Sequence, residues 1–272
     1  MMHNASFEAL GLDYRYLAFD VNEETLPTAV AGLKVLGARG FNLTMPDKNL
    51  MVSLCDELST AARIIGAVNT VVNEDGRLVG HNTDGIGYMQ SVKDAGYDII
   101  GKKMTLLGAG GAATAILVQA ALDGLKEISV FMRPTSRFYD RLVHTVEELT
   151  EITDCRIRIC DFSDANLLKK ELADSAILTN GTSVGMAPHE DTCPVPENLT
   201  FPKDLIVSDI IYNPRETKLL TMLKIRQPVL QRILICSSTR CRGLPSSGLE
   251  RRCQWRRIKK EFFSDPFYSK AT

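Results

Sequence analysis

No run of apolar residues in this chain approaches the ~18 needed to span a bilayer, and Met1 to Leu10 has neither the basic nor the apolar region of a signal peptide. Membrane partners and export are not expected, and a cytoplasmic protein is. Cysteine is too irregularly placed for a scaffold: the seven, at positions 55, 155, 160, 193, 236, 241 and 253, are odd in number and contain no Cys-x-x-Cys. No histidine stands at zinc-ligand spacing, so buried or free thiols are expected and no metal site is assigned. Tryptophan occurs once, as Trp255. Net charge is almost lacking too, at −1, but this balance hides an asymmetry. Residues 223–272 carry 12 Lys and Arg against 3 Asp and Glu, whereas residues 1–222 carry 20 against 30. The basic tail, with Arg251-Arg-Cys-Gln-Trp-Arg-Arg257, has the composition of a nucleic-acid-binding surface. It lacks the hydrophobic periodicity of a folded module, so no nucleic-acid partner is assigned.

What remains is an ordinary globular composition, 44% hydrophobic and 24% charged over 272 residues, enough for one large or two medium domains. Tyr14 to Phe19 alternates and is rich in β-formers, so it reads as a strand. Leu26, Val30, Leu33 and Val35 or Leu36 fall at helical spacing over Thr25 to Leu36, with Asn22 as a candidate cap. Phe41 to Thr44 reads as the next strand. Met45-Pro-Asp-Lys48 reads as the start of a helix reaching Leu54, since proline is tolerated in a first helical turn. A helix over Thr60 to Ile65, an extended run over Ala67 to Val72 and a hairpin at Asp75-Gly76 returning along Leu78 to His81 follow. Next comes Gly80-His-Asn-Thr-Asp-Gly-Ile-Gly87, ahead of a helix-like segment from Tyr88 to Ala95. Its short polar residues between glycines suit either a loop pointing side chains at a ligand or a turn that caps the next helix.

The second half has a clearer grammar. Lys103 to Leu107 is a short buried-strand run, followed by Gly108-Ala-Gly-Gly-Ala-Ala113 and an apolar helix through Ala121. This is Gly-x-Gly-x-x-Ala between a strand and a helix, the setting of the dinucleotide fingerprint. Gly108 allows the tight turn, Gly110 lets a pyrophosphate approach the backbone, and Ala113 lets helix and strand pack closely. The helix N-terminus offers free N–H groups to phosphate. The strand Glu127 to Phe131 ends at Met132-Arg133 with no acidic residue, the pattern of a site for a 2′-phosphate rather than a ribose hydroxyl, although an exposed arginine without a role has the same sequence. Strands at Arg156 to Cys160, Ala176 to Thr179 and Leu205 to Asp209, with a helix over Asp164 to Leu172, complete an α/β, Rossmann-type, doubly wound parallel sheet.

Six ordered motifs then form a set: Gly40-Phe-Asn-Leu-Thr-Met-Pro-Asp-Lys48, Gly66-Ala-Val-Asn-Thr70, Gly80-His-Asn-Thr-Asp-Gly85, Gly108-Ala-Gly-Gly-Ala112, Thr179-Asn-Gly-Thr-Ser-Val-Gly-Met186 and Ile210-Ile-Tyr-Asn-Pro214. In order and spacing they resemble the shikimate dehydrogenase family over residues 2–222, and Gly124-Leu-Lys-Glu-Ile128 and Ile177-Leu-Thr-Asn-Gly181 look closest to the branch that also oxidises quinate. The resemblance implies a substrate-binding domain over 1–84, an NAD(P)-binding Rossmann domain over 85–215 and a C-terminal segment over 216–272. It implies Lys48 and Asp84 as the catalytic pair, with Asn42, Thr44, Asn69 and Tyr212 on the substrate. Gly108, Ala109, Gly110, Gly111, Ala112, Arg133, Thr182 and Ser183 would hold the cofactor. The chemistry agrees: reducing the ketone of 3-dehydroshikimate needs a hydride from the nicotinamide and a proton for the forming alkoxide, which a lysine beside a carboxylate can donate.

Two departures accompany the match. The family opens on a strand and a Ser-x-Ser-Pro segment that holds the substrate carboxylate, whereas this chain begins at Met1-Met-His-Asn4. After Leu219-Leu-Thr-Met222 the family continues with a glycine-rich turn and a helix bearing a substrate-binding glutamine, and residues 223–257 carry neither. An out-of-frame reading and a divergent tail both fit that segment. Two function classes follow: an NADP-linked shikimate dehydrogenase of aromatic amino-acid biosynthesis, with quinate and NAD as the competing pair, or an inactive remnant that binds only dinucleotide. The partners expected are the small-molecule substrates alone, on a monomer or homodimer.

Overall fold

The structure, a computed structural model, describes residues 2–224. The readings made for residues 225–272 lie outside them. The chain begins with helix α1 (Met2–Ala9) and then an irregular stretch to helix α2 (Leu26–Val35). Four short strands follow, β1 (Gly40–Asn42), β2 (Glu57–Leu58), β3 (Thr70–Glu74) and β4 (Arg77–His81), with helix α3 (Thr60–Ile65) between β2 and β3. They form a sheet in the order β1-β3-β4-β2. β3 is antiparallel to both β1 and β4, and β2 is parallel to β4. The β3–β4 turn is the predicted one: Asp75 and Gly76 both take positive φ, 52° and 92°, the backbone that suits a two-residue hairpin.

Helix α4 (Asp84–Asp94) leads into a second sheet of five parallel strands: β5 (Lys103–Leu107), β6 (Glu127–Met132), β7 (Arg156–Asp161), β8 (Ile177–Asn180) and β9 (Ile206–Asp209). Their order, β7-β6-β5-β8-β9, reverses at β5, and this is the doubly wound arrangement expected. Consecutive side chains of a strand point to opposite faces. Leu106 therefore joins a core with α4, α5 (Gly111–Leu122) and α6 (Tyr139–Ile152), while Leu107 joins one with α7 (Ala165–Ala173) and α8 (Lys218–Lys224). A third core, around Met51, Val68 and Val71, lies beneath the smaller sheet. No helix of the described residues is long and apolar enough to cross a membrane.

Four readings need correction. Tyr14 to Phe19 is not a strand: both backbone groups of Tyr16 bond to the Asn4 side-chain amide, N–H to Oδ1 at 2.6 Å and C=O from Nδ2 at 3.0 Å, and no ladder forms. Residues 45–49 form turns rather than a first helical turn, with a 3-10 helix only at Leu50–Leu54. The carbonyl of Lys48 accepts from Val68 N–H at 2.8 Å and is thus committed to another segment. Helix α4 begins at Asp84 instead of Tyr88, and helix α6, unread in the sequence, covers the β6–β7 crossover. Its apolar stripe, Leu142, Val146 and Leu149, is spaced by three and four among charged residues.

Candidate active site

Three loops deliver the polar side chains that meet beside the smaller sheet. The first carries Lys48 out of β1, fixed by the Lys48–Val68 backbone bond just described. The second follows α3. Gly66 ends that helix in the left-handed conformation, φ 62°, ψ 34°, and the chain turns back into Ala67-Val-Asn69. The third is Asn82-Thr-Asp84. Asn82 donates to the Ala67 carbonyl at 3.0 Å and accepts from Asp84 N–H at 3.2 Å, tying the second loop to the third.

At the meeting point Lys48 Nζ donates to Asp84 Oδ2 at 2.8 Å, and Asn69 Nδ2 donates to Asp84 Oδ1 at 2.8 Å. The Lys48 and Asp84 side chains keep only 18% and 20% of their surface exposed, so their attraction is less screened than on an open surface. Asn69 is wholly buried, and its other amide end is saturated: Oδ1 accepts from Thr83 N–H at 2.9 Å and from the hydroxyls of Thr70 and Thr83 at 3.0 and 3.2 Å. This fixes the amide so that its nitrogen faces the carboxylate. Asn42 joins through Thr70, donating to its hydroxyl at 2.9 Å. The sequence reading gives Thr70 and Thr83 no role, although both stand in its quoted motifs. Thr44 and Tyr212 take no part in the network. Thr44 is exposed after β1, and Tyr212, 63% exposed, follows β9.

The glycine turn lies at the carboxyl end of β5. Gly108 has φ +98°, a conformation that side-chain-bearing residues rarely adopt. A β-carbon there would also come within 2.8 Å of the Thr182 methyl group. Around Gly110 and Gly111 no atom lies within 4 Å of such a carbon. The turn is therefore tight at its first glycine and open at the second and third, the shape a pyrophosphate cradle needs. Helix α5 has no side-chain cap and no acidic residue in its first turn, which leaves its N–H groups free for an anion. Ala109 is buried and Ala112 exposed. Ala113 is fully buried, and a β-carbon on Gly181 would meet it at 2.8 Å, so the end of β8 and α5 interlock. Thr182 bonds Asn180 Oδ1 through both its N–H and its hydroxyl, at 3.1 and 2.7 Å, while Ser183 is exposed. Arg133 is exposed just beyond β6.

A further acid supports this rim. Asp209, wholly buried at the end of β9, accepts from Asn180 Nδ2 at 3.1 Å, from Thr217 Oγ1 at 2.7 Å and from Ile211 N–H at 3.0 Å. Burial pushes its carboxyl above the usual range, against the pull of those hydrogen bonds. Sequence reading placed Asp209 only as a strand end.

A parallel sheet in this order, with an open glycine turn at its carboxyl edge and a lysine–carboxylate pair nearby, defines the class of α/β oxidoreductases that work with a nicotinamide dinucleotide. The family model for the shikimate dehydrogenase substrate binding domain matches residues 1–71. A shikimate dehydrogenase (NADP(+)) of Listeria monocytogenes serotype 4b is 52% identical over 219 residues, covering 80% of this chain and 75% of that protein. The crystal structure of shikimate 5-dehydrogenase from Listeria monocytogenes, in complex with shikimate and NAD, matches with TM-score 0.81 at 49% identity, covering 86% of this chain and 81% of that one. The Thermus thermophilus shikimate 5-dehydrogenase, in complex with NADP(H) and shikimate, matches with TM-score 0.68 at 31% identity over 85% and 80% of the two chains. The chain belongs to the shikimate dehydrogenase family.

Proposed function

We propose that this protein reduces 3-dehydroshikimate to shikimate, reversibly, with NADP as the hydride carrier, in the shikimate pathway of aromatic amino-acid biosynthesis. The observation that carries this reading is the Lys48–Asp84–Asn69 constellation, two bonds of 2.8 Å onto one carboxylate, built beside an open dinucleotide cradle. The dinucleotide supplies the hydride in reduction and takes it in oxidation. Lys48 Nζ delivers the proton to the oxygen that becomes an alkoxide, and its positive charge stabilises that oxygen beforehand. Asp84 holds the ammonium in place and accepts from a ring hydroxyl. Asn69 orients the carboxylate, and Asn42, Thr44 and Tyr212 complete the substrate wall. Gly108 to Ala112 receive the pyrophosphate, Thr182 and Ser183 line the same rim, and Arg133 meets the 2′-phosphate.

Residues 1–84 form the substrate-binding domain, 85–215 the dinucleotide domain and 216–272 the C-terminal segment. The separate sheets support this division, and so does the family match over 1–71. The protein works in the cytoplasm as a monomer or homodimer. Quinate oxidation with NAD is the second reading, favoured by the NAD in the Listeria relative's structure. The deciding experiment follows reduction of NADP+ and NAD+ with shikimate and with quinate. The expected result is the highest kcat/KM for shikimate with NADP+. Turnover of quinate with NAD+ at a higher kcat/KM establishes the second reading, and no turnover of either acid with either dinucleotide refutes both.

A further inference from the structure

The two members of the candidate dyad are anchored differently: both sit beside the smaller sheet, but only Asp84 also opens a helix that packs on the larger one. Lys48 is held beside the smaller sheet, its carbonyl bonded to Val68 N–H in the loop that leads into β3. Asp84 stands just after β4, past Asn82 and Thr83, yet it is the first residue of α4, and α4 packs on the larger sheet: Tyr88, Met89 and Val92 lie in the core that contains β5, β6 and α5. Two contacts fix this helix. At Gly85, next to Asp84, the backbones of α4 and α5 approach so closely that an added β-carbon would collide with the Ala115 carbonyl oxygen and Gln119 Cβ. One turn further, Tyr88 is fully buried, and its phenolic oxygen is hydrogen-bonded to Thr179 Oγ1 of β8. Burial pushes the phenol up to about 12, so the hydroxyl keeps its proton throughout the working pH range.

Residues four apart share one face of a helix, so Tyr88 and Asp84 stand in one row along α4. Thr179 leads directly into Asn180-Gly-Thr182, and Gly181 and Thr182 lie against Gly108 of the glycine turn. Apolar packing alone would hold a phenyl ring here about as well, since it is non-directional. What the hydroxyl adds is direction: a hydrogen bond is sensitive to both distance and angle, so it sets how far α4 lies along β8 and how it is rotated.

We propose that Tyr88 is a positioning residue of the reaction, whose bond to Thr179 registers α4, and with it Asp84, against the strand end that bears the dinucleotide loop. The inference rests on the reading of Lys48 and Asp84 as the dyad. Loops beside the smaller sheet bring Lys48 and Asn69 onto a carboxylate whose helix is registered on the larger one, and the proton donor is thereby registered to the hydride carrier.

The test is Tyr88→Phe and Thr179→Val, singly and together, in the full chain. Each single variant lowers kcat for shikimate oxidation by about tenfold, the factor that one buried hydrogen bond of ordinary net worth represents. The dinucleotide Kd and shikimate KM stay within about twofold. The primary isotope effect with shikimate deuterated at the oxidised carbinol carbon rises, because misplacement slows the chemical step. The double variant is no worse than Tyr88→Phe alone, because removing the phenol hydroxyl already removes its bond to Thr179 together with its contact to Ser208 of β9. Unchanged kcat and isotope effect in Tyr88→Phe, in an enzyme that Lys48→Ala silences, overturn the proposal alone. So does a loss of dinucleotide affinity or melting temperature that accounts for the fall in kcat. A Lys48→Ala enzyme that turns over normally removes the dyad reading, and the proposal with it.

Discussion

Replacing Lys48 with alanine separates chemistry from folding in this protein. The substitution removes one bond, from Nζ to Asp84 Oδ2 at 2.8 Å, and leaves the other carboxylate oxygen with its 2.8 Å bond from Asn69. A charge-assisted bond at a site about four-fifths buried contributes about 2 kcal/mol, which in a chain of this size lowers the melting temperature by about 4–8 °C. The protein therefore stays folded at assay temperature. Losing the group that delivers the proton costs about 10² to 10⁴ in kcat. The dinucleotide Kd is unchanged, because Lys48 lies outside the glycine turn and the strand ends that form the cradle. Lys48→Arg restores the ion pair and the stability but not turnover, since a guanidinium stays charged in this range and can neither take up the hydroxyl proton in oxidation nor release one in reduction. The assay is the initial rate of nicotinamide reduction with saturating shikimate, with a thermal melt and a dinucleotide titration by fluorescence on the same preparations. A folded Lys48→Ala protein that keeps kcat within about tenfold of the parent refutes the assignment.

Two further predictions concern the larger sheet. Gly108→Ala forces a β-carbon into a backbone at φ +98° and against the Thr182 methyl group at 2.8 Å; the strain, about 1–3 kcal/mol, weakens dinucleotide binding by about tenfold in a fluorescence titration, and an unchanged Kd would contradict the cradle. Beneath the same sheet, Glu171, 2% exposed, accepts from Lys103 at 2.7 Å, Arg158 at 3.0 Å and Ser129 at 2.6 Å. Burial opposes its charge, but these partners outweigh burial and hold its carboxyl below the usual value, and the same balance, with Arg158 and Lys103 as partners, depresses Glu127. A depressed folded pKa stabilises above the unfolded value near 4.5, so this stability is present at neutral pH and lost as pH falls through the folded values. Glu171→Ala lowers stability by about 3 kcal/mol at neutral pH, the low end for a broken buried pair because Lys103 retains Glu127 and Asp174. Denaturant titrations of both proteins from pH 7 down to pH 3 check this, and a gap that does not narrow below about pH 4.5 contradicts it.

Local chemistry made several parts of this protein legible in its sequence. Asp75-Gly76 specifies its hairpin because few residues tolerate positive φ there. The strand–glycine–helix run from Lys103 marks the cradle because each glycine meets a backbone or packing requirement set within a few residues. The motifs around Lys48, Asn69 and Asp84 could be picked out, but their convergence on one carboxylate could not, because it depends on bonds between segments 15 and 36 residues apart. Tertiary partners also decided what local preference misjudged. Tyr14 to Phe19 has the composition of a strand, but the Asn4 amide takes the backbone groups of Tyr16. Residues 45–49 have a helix-starting pattern, but Val68 claims the Lys48 carbonyl. On its own stretch Asp84 read first as a helix cap and only second as a ligand; it is the first residue of a helix anchored on the other sheet, and its neighbours there are visible only in three dimensions. Sequence by itself determined which residue types and backbone conformations were available, since those follow from bonds within a few residues. Only the tertiary structure decided which distant donor each acceptor meets, because burial removes water as the alternative partner.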